Sequence, residues 1–185
     1  LGDVYKRQLL GMLAATGDVD KYVDALERSL PCMRHRGPDA AGTWHDGDAA
    51  FGFNRLSIID LEHSHQPLRW GPEDQPDRYA MTFNGEIYNY VELREELKGL
   101  GYTFHTEGDG EPIVVGYHHW GKDVVNHLRG MFGIVIWDTH TKTMFAARDQ
   151  FGIKPLYYAT TDAGTVFASE MKCILEMADL SLIHI

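Results

Sequence analysis

Apolar positions fall into short runs that read as strands: Leu9 to Ala14, Ala49 to Ile59, Arg78 to Phe83, Met131 to Asp138, Thr143 to Arg148, Pro155 to Ala159 and Thr165 to Ser169. Their apolar and β-branched content is the signal. Thr139 to Lys142, between two of these runs, reads as a hairpin turn. Two stretches have helical spacing instead. Asp20 to Met33 puts Val23, Leu26 and Leu30 on one stripe, and Asn89 to Leu100 puts Leu93, Leu97 and Leu100 on another. Asn89 followed by Glu92 has the form of an N-cap pair, and Gly99 and Gly101 end the pattern. A third, weaker helical pattern runs from Glu111 to Trp120 and resumes at Asp123. Gly71 to Asp77, with Pro72 and Pro76, reads as a loop. Groups of strands separated by helices predict an α+β domain with stacked sheets.

Composition narrows the partners more than the fold. A chain of 185 residues with 44% hydrophobic content suits one domain with a real core. A net charge of −10 argues against nucleic acid or an anionic membrane as partner. No apolar run approaches the roughly 18 residues needed to cross a bilayer, and no secretory pattern opens the chain. Two cysteines, Cys32 and Cys173, are too few for a disulfide scaffold, so a reduced, cytoplasmic setting is expected.

The candidate chemistry centres on Asn84-Gly85-Glu86, which follows the apolar run Tyr79 to Phe83. An Asn amide and a Gly backbone N–H at the mouth of a strand suit a developing oxyanion, and a neighbouring Glu suits an ammonium group. Upstream, Arg55 is a candidate partner for a carboxylate, and downstream Asp109 adds a second anion. One cation, two anions and an oxyanion pair describe a pocket for a free amino acid with a side-chain carbonyl. The plain alternatives are an Asn-Gly turn, a surface ion pair at Arg55 and two solvated acids. Cys32 follows Pro31 inside a helical pattern, and both it and Cys173 read as buried structural thiols. The pairs His63 with His65 and His118 with His119 lack companions at metal-ligand spacing, so no metal is expected.

The stretches around Arg55, Asn84 and Asp109, with three others, resemble the glutaminase domain of glutamine-hydrolysing asparagine synthase, a class II (N-terminal-nucleophile) glutamine amidotransferase. The matching runs are Arg34 to Asp39, Arg55 to Ile59, Asn84 to Asn89, Asp109 with Glu111, Arg148 to Tyr158 and Phe167 to Glu170, in family order over residues 9 to 176. The resemblance implies a four-layer αββα sandwich with two stacked, mainly antiparallel sheets. It implies L-glutamine as substrate, an oxyanion hole at Asn84 and Gly85, and substrate binding by Arg55, Leu56, Ser57, Ile58, Ile59, Asn84, Gly85, Glu86 and Asp109. It assigns Arg34, Arg36 and Asp39 a supporting role beside the pocket. Lys154, Tyr157 and Tyr158 are expected to brace the second sheet. No cofactor is implied for this domain; ATP and Mg belong to the family's C-terminal synthetase domain, whose Ser-Gly-Gly phosphate loop this sequence lacks. A homodimer of the full-length protein is also compatible with the family.

The sequence departs from the family at its ends. The family's nucleophile is a mature N-terminal cysteine followed by glycine, whose own α-amine is the base. Aligning on Leu9-Leu10-Gly11 puts that slot on Arg7 and the glycine slot on Gln8, with Leu1 to Lys6 ahead of them. The expected organisation is a foreign segment at 1–8, the glutaminase domain at 9–176 and a tail at 177–185. Two accounts of the ends stand, a junction in joined DNA and an inactivated glutaminase. As written, the chain is expected to be inactive. The alternatives are a catalytically dead glutamine-binding or scaffold module, and the glutaminase of a relative that amidates another carboxylate, such as a cell-wall precursor.

Overall fold

A computed structural model describes residues 7–36, 40–55 and 66–178. Among the described residues, nine strands form two sheets. β1 (Arg7–Ala14), β2 (Ala40–His45), β3 (Ala49–Arg55), β8 (Tyr157–Thr161) and β9 (Gly164–Ala168) make a five-stranded sheet in the order β2-β3-β1-β9-β8. β4 (Leu68–Trp70), β5 (Tyr79–Ile87), β6 (Gly130–Asp138) and β7 (Thr143–Arg148) make a four-stranded sheet in the order β4-β5-β6-β7. Each of these strand pairings is antiparallel.

The two-residue period of the strands sorts their side chains into three apolar layers. In β1, Leu10, Met12 and Ala14 join Leu26, Ile174 and Met177 of helices α1 (Asp20–Ser29) and α4 (Met171–Ala178). Its alternate residue Leu9 packs instead with Ala80 of β5 and Val135 and Trp137 of β6. On the other side of the second sheet, Met81, Phe83, Ile134 and Ile136 meet Leu93 and Leu97 of α2 (Tyr90–Gly99) and Ile113 and Val114 of α3 (Glu111–Trp120). The result is helix, sheet, sheet, helix, the αββα sandwich expected. Central strands buried on both faces explain why β1 and β6 read as continuous apolar runs.

Several elements differ from expectation. The helix expected over Asp20 to Met33 ends at Ser29 and continues as a 3-10 segment, Leu30–Arg36. Pro31 lacks the N–H an α-helix needs there. Asn89 makes no cap bond to α2. Its side chain instead donates to the His127 carbonyl at 2.9 Å and accepts the Arg129 N–H at 2.8 Å, tying the start of α2 to the start of β6. β2 and the three-residue β4 carried too little pattern to be expected, and α4 runs to Ala178 with Met177 buried, into the first residues of the tail expected at 177–185. Residues 56–59, expected to prolong β3, lie outside the described residues.

Candidate active site

The Asn-Gly-Glu triplet lies inside a strand, where the sequence placed it just past one. β5 runs on to Ile87, and Asn84, Gly85 and Glu86 stand opposite Gly133, Phe132 and Met131 of β6. The reason is the partner strand: β6 offers a full-length antiparallel edge, which overrides the turn preference of Asn-Gly. Alternation then turns Asn84 to the same face as Ala80 and Thr82, toward the first sheet. Asn84 is 2% exposed, and its Nδ2 lies 3.4 Å from Ser169 Oγ at the end of β9. Ser169 also accepts the Leu9 N–H on its Oγ at 3.1 Å and donates its own N–H to the Leu9 carbonyl at 3.0 Å. The start of β1 is thereby joined to Asn84 through one buried hydroxyl.

Ladder parity shows what Gly85 can do with its backbone. Both backbone polar groups of Phe132, its opposite number, are engaged by Asp149: Phe132 N–H donates to Asp149 Oδ2 at 3.2 Å, and Asp149 N–H donates to the Phe132 carbonyl at 2.9 Å. Phe132 therefore turns its polar groups away from β5, and Gly85 turns its own away from β6. β4 covers β5 only from Tyr79 to Met81. Beyond it, two side chains take over the open edge. Gln66 donates Nε2 to the Phe83 carbonyl at 2.8 Å and accepts the Phe83 N–H at 3.3 Å. Asp109 Oδ2 accepts the Ile87 N–H at 3.2 Å. Between these two occupied positions the Gly85 N–H faces an edge that β4 leaves uncovered. A neutral amide N–H and a neutral carboxamide, one residue apart on a rigid strand, can stabilise an oxyanion without reorganising.

Glu86 and Asp109 are both half-buried, and Asp109 lies beside the end of β5 that carries Glu86. Asp109 is held by the backbone of Ile87, the residue after Glu86. The backbone of Arg55 is described, paired in register with Arg7 at the head of β1. Its side chain lies outside the described residues, as do the Arg36 side chain and Leu56, Ser57, Ile58, Ile59 and Asp39. Arg34 is exposed on the 3-10 segment. Of the cysteines, Cys173 is fully buried but Cys32 is only half-buried, because Cys32 sits on the 3-10 segment rather than within a helix. Burial, and then the neighbouring Cys32 thiol, push Cys173 up to about 12, so it is no nucleophile at neutral pH. Among the described residues no cluster of three or more His, Cys, Asp or Glu is arranged to hold a metal. Tyr157 and Tyr158 lie on β8, the edge strand of the first sheet, with Tyr158 exposed and stacked on Phe167.

Sequence reasoning missed Gln66 entirely and gave Ser169 no role. Gln66 lies beside Pro67 in an unpatterned stretch. Ser169 is 85 positions from Asn84, and only the register of two sheets brings them together.

A two-sheet αββα sandwich with Asn84 and Gly85 at an uncovered strand edge is an arrangement suited to an amidotransferase domain. The match to the glutamine amidotransferase domain family covers residues 9–183, and the chain belongs to that family. It is 60% identical over 162 residues, 84% of its length, to a Mycobacterium tuberculosis (strain ATCC 25618 / H37Rv) protein named "Putative asparagine synthetase (glutamine-hydrolyzing)". It is 45% identical over 163 residues, 88% of its length, to asparagine synthetase (glutamine-hydrolyzing) 1 of Bacillus subtilis (strain 168). The chain spans 25% of the length of each of these relatives. In three dimensions it resembles glutamine phosphoribosylpyrophosphate amidotransferase from B. subtilis, with a TM-score of 0.71 at 20% identity, over 92% of this chain and 43% of that one. That likeness supports the fold.

Proposed function

We propose that this chain is the glutaminase domain of an ATP-dependent asparagine synthase and that its pocket holds L-glutamine. The α-carboxylate pairs with Arg55, the α-ammonium with Glu86 and Asp109, and the side-chain carbonyl oxygen lies against the Asn84 amide and the Gly85 N–H. The family resemblance also gives Leu56 to Ile59 a part in holding the substrate. The observation that carries this reading is the meeting of Asn84, Gly85, Glu86 and Asp109 at one end of β5 in a chain of this family.

Hydrolysis needs a cysteine with a free α-amine at position 7. Its thiol would add to the carboxamide carbon while the amine takes the thiol proton, and the oxyanion would rest on Asn84 and Gly85. Collapse breaks the C–N bond, and the amine's proton leaves with ammonia. Water then cleaves the thioester to glutamate and restores the thiol. Arg7 can perform none of these steps, so the chain as written binds glutamine without turnover. That same residue favours the second reading, a catalytically dead binding module. In the longer relatives the ammonia would pass to a synthetase domain, where ATP and Mg would activate the acceptor, aspartate in this reading. The family match begins at residue 9, while Arg7 and Gln8 already belong to β1, and a cytoplasmic setting suits free glutamine as substrate.

The test replaces Leu1 to Gln8 with Met-Cys-Gly, the Met being removed in the cell, and follows glutamate release. This cysteine-led form should turn over at roughly 1 per second, an ordinary enzymatic rate, and the parent should show none. Turnover by the parent, or a folded cysteine-led form that binds glutamine and leaves it intact, would overturn the proposal.

A further inference from the structure

Resting on the glutaminase reading, we propose that Ser169 fixes which end of the Asn84 amide faces the substrate, and is a positioning residue for the oxyanion hole. A hydroxyl has one proton to donate and two lone pairs to accept with. Ser169 Oγ already accepts the Leu9 N–H at 3.1 Å. Its proton therefore needs an acceptor, and the Asn84 amide lies 3.4 Å away. With Nδ2 toward Ser169, that amide offers no acceptor to the hydroxyl, and the buried Oδ1 at its other end has no hydrogen-bond partner among the described residues. The two ends of a carboxamide have nearly the same shape, so the network decides between them. Turning the amide by 180° sends the Ser169 proton to Oδ1 and presents Nδ2, with its hydrogens, on the side away from Ser169.

The relay then runs in one direction: Leu9 N–H to Ser169 Oγ, Ser169 O–H to Asn84 Oδ1, Asn84 N–H to the substrate oxygen. The first donor is a backbone N–H and cannot reverse, so neither can the relay. A carboxamide oxygen facing an oxyanion would repel it, while an N–H stabilises it. Ser169 is 2% exposed, and its backbone N–H is anchored on the Leu9 carbonyl at 3.0 Å, so the hydroxyl has little freedom to serve another partner. The same serine also sets the distance between Asn84 and the head of β1, where the nucleophile belongs.

In the cysteine-led form, Ser169→Ala should lower kcat roughly tenfold or more and leave KM within about twofold, since the oxyanion exists only in the transition state. The double-mutant cycle with Asn84→Ala separates positioning from general damage. Once Asn84 is replaced by alanine, removing Ser169 should cost nothing further in kcat. Independent, additive losses would overturn the proposal. A second measurement needs no activity. In the chain as written, Ser169→Ala should move the nitrogen-15 side-chain amide signals of Asn84 and speed hydrogen exchange at the Leu9 amide. Unmoved Asn84 signals would overturn the proposal even if the cysteine-led form were active. A cysteine-led form that fails to hydrolyse glutamine while those signals do move would overturn the glutaminase reading and leave the Ser169–Asn84 coupling standing.

Discussion

A β carbon at Gly85 would lie 2.1 Å from the Met131 carbonyl oxygen and 2.8 Å from the Phe132 Cα. Both are backbone atoms of β6, so no side chain can swing aside. One at Gly130 would lie 2.2 Å from the Glu86 carbonyl oxygen. Glycine at 85 therefore lets β6 close against the C-terminal end of β5. Gly85→Ala should cost about 3 kcal/mol by overpacking, read as a lower urea midpoint with an unchanged slope. Asn84→Ala should behave differently. In the cysteine-led form it should reduce turnover roughly 100-fold while calorimetry finds glutamine bound almost as before. Arg55→Ala should weaken binding by about tenfold or more, the scale of one charge-assisted hydrogen bond.

The turn that follows β7 is organised by one carboxylate. Asp149 accepts N–H groups from Phe151 at 3.1 Å, Ile153 at 2.9 Å and Lys154 at 3.0 Å, besides that of Phe132. Burial alone would raise its pKa, but the backbone donors together outweigh burial and hold it below the ordinary value. A depressed carboxylate stabilises the fold above its unfolded pKa of about 4 and loses that contribution as pH falls through the lower folded value. Asp149→Asn should therefore cost about 2 kcal/mol at pH 7, with the gap to the parent closing below pH 4 in parallel acid titrations. The long elements are legible in the sequence because the strands are dense in apolar and β-branched residues and α2 carries a clear stripe: β1, β6, β7 and α2 stand close to where the pattern puts them, as does α3 from a weaker one, while β5 runs on to Ile87. β4 has three residues and no period to read. The break in the first helix is signalled by Pro31, but the apolar stripe of Leu26 and Leu30 outweighs that signal in the pattern.

At the scale of the molecule, the layer between the sheets holds the largest of the fully buried side chains. Trp137 of the second sheet lies there and donates Nε1–H to Asp46 Oδ2 at 2.6 Å, in the turn between β2 and β3. Trp137→Ala should cost about 4 kcal/mol, seen in chemical unfolding, because it opens a cavity and cuts a bond between sheets. The site divides by sequence distance. Asn84, Gly85 and Glu86 are contiguous and Asp109 sits in a recognisable run, so their meeting is readable. Gln66 and Ser169 act through the edge of β5 and the register of β9, and no local pattern encodes either.

Strand β1 is central in its sheet, with Leu9 committed to the layer between sheets and Leu10 to the layer under the helices. It cannot slide by one residue without exchanging those two faces. In the proposed glutaminase the strand is thus a ruler for where the cysteine must stand. A cysteine two residues ahead of Leu9 shares the face of Leu9; one placed a residue nearer or farther would face the helices. Two trimmed forms, with the cysteine one or three residues before Leu9, should fold with melting temperatures near that of the cysteine-led form and release no glutamate. Under the glutaminase reading the place of the cysteine tolerates no error of even one peptide bond, and the tolerance is set by the packing of two leucines.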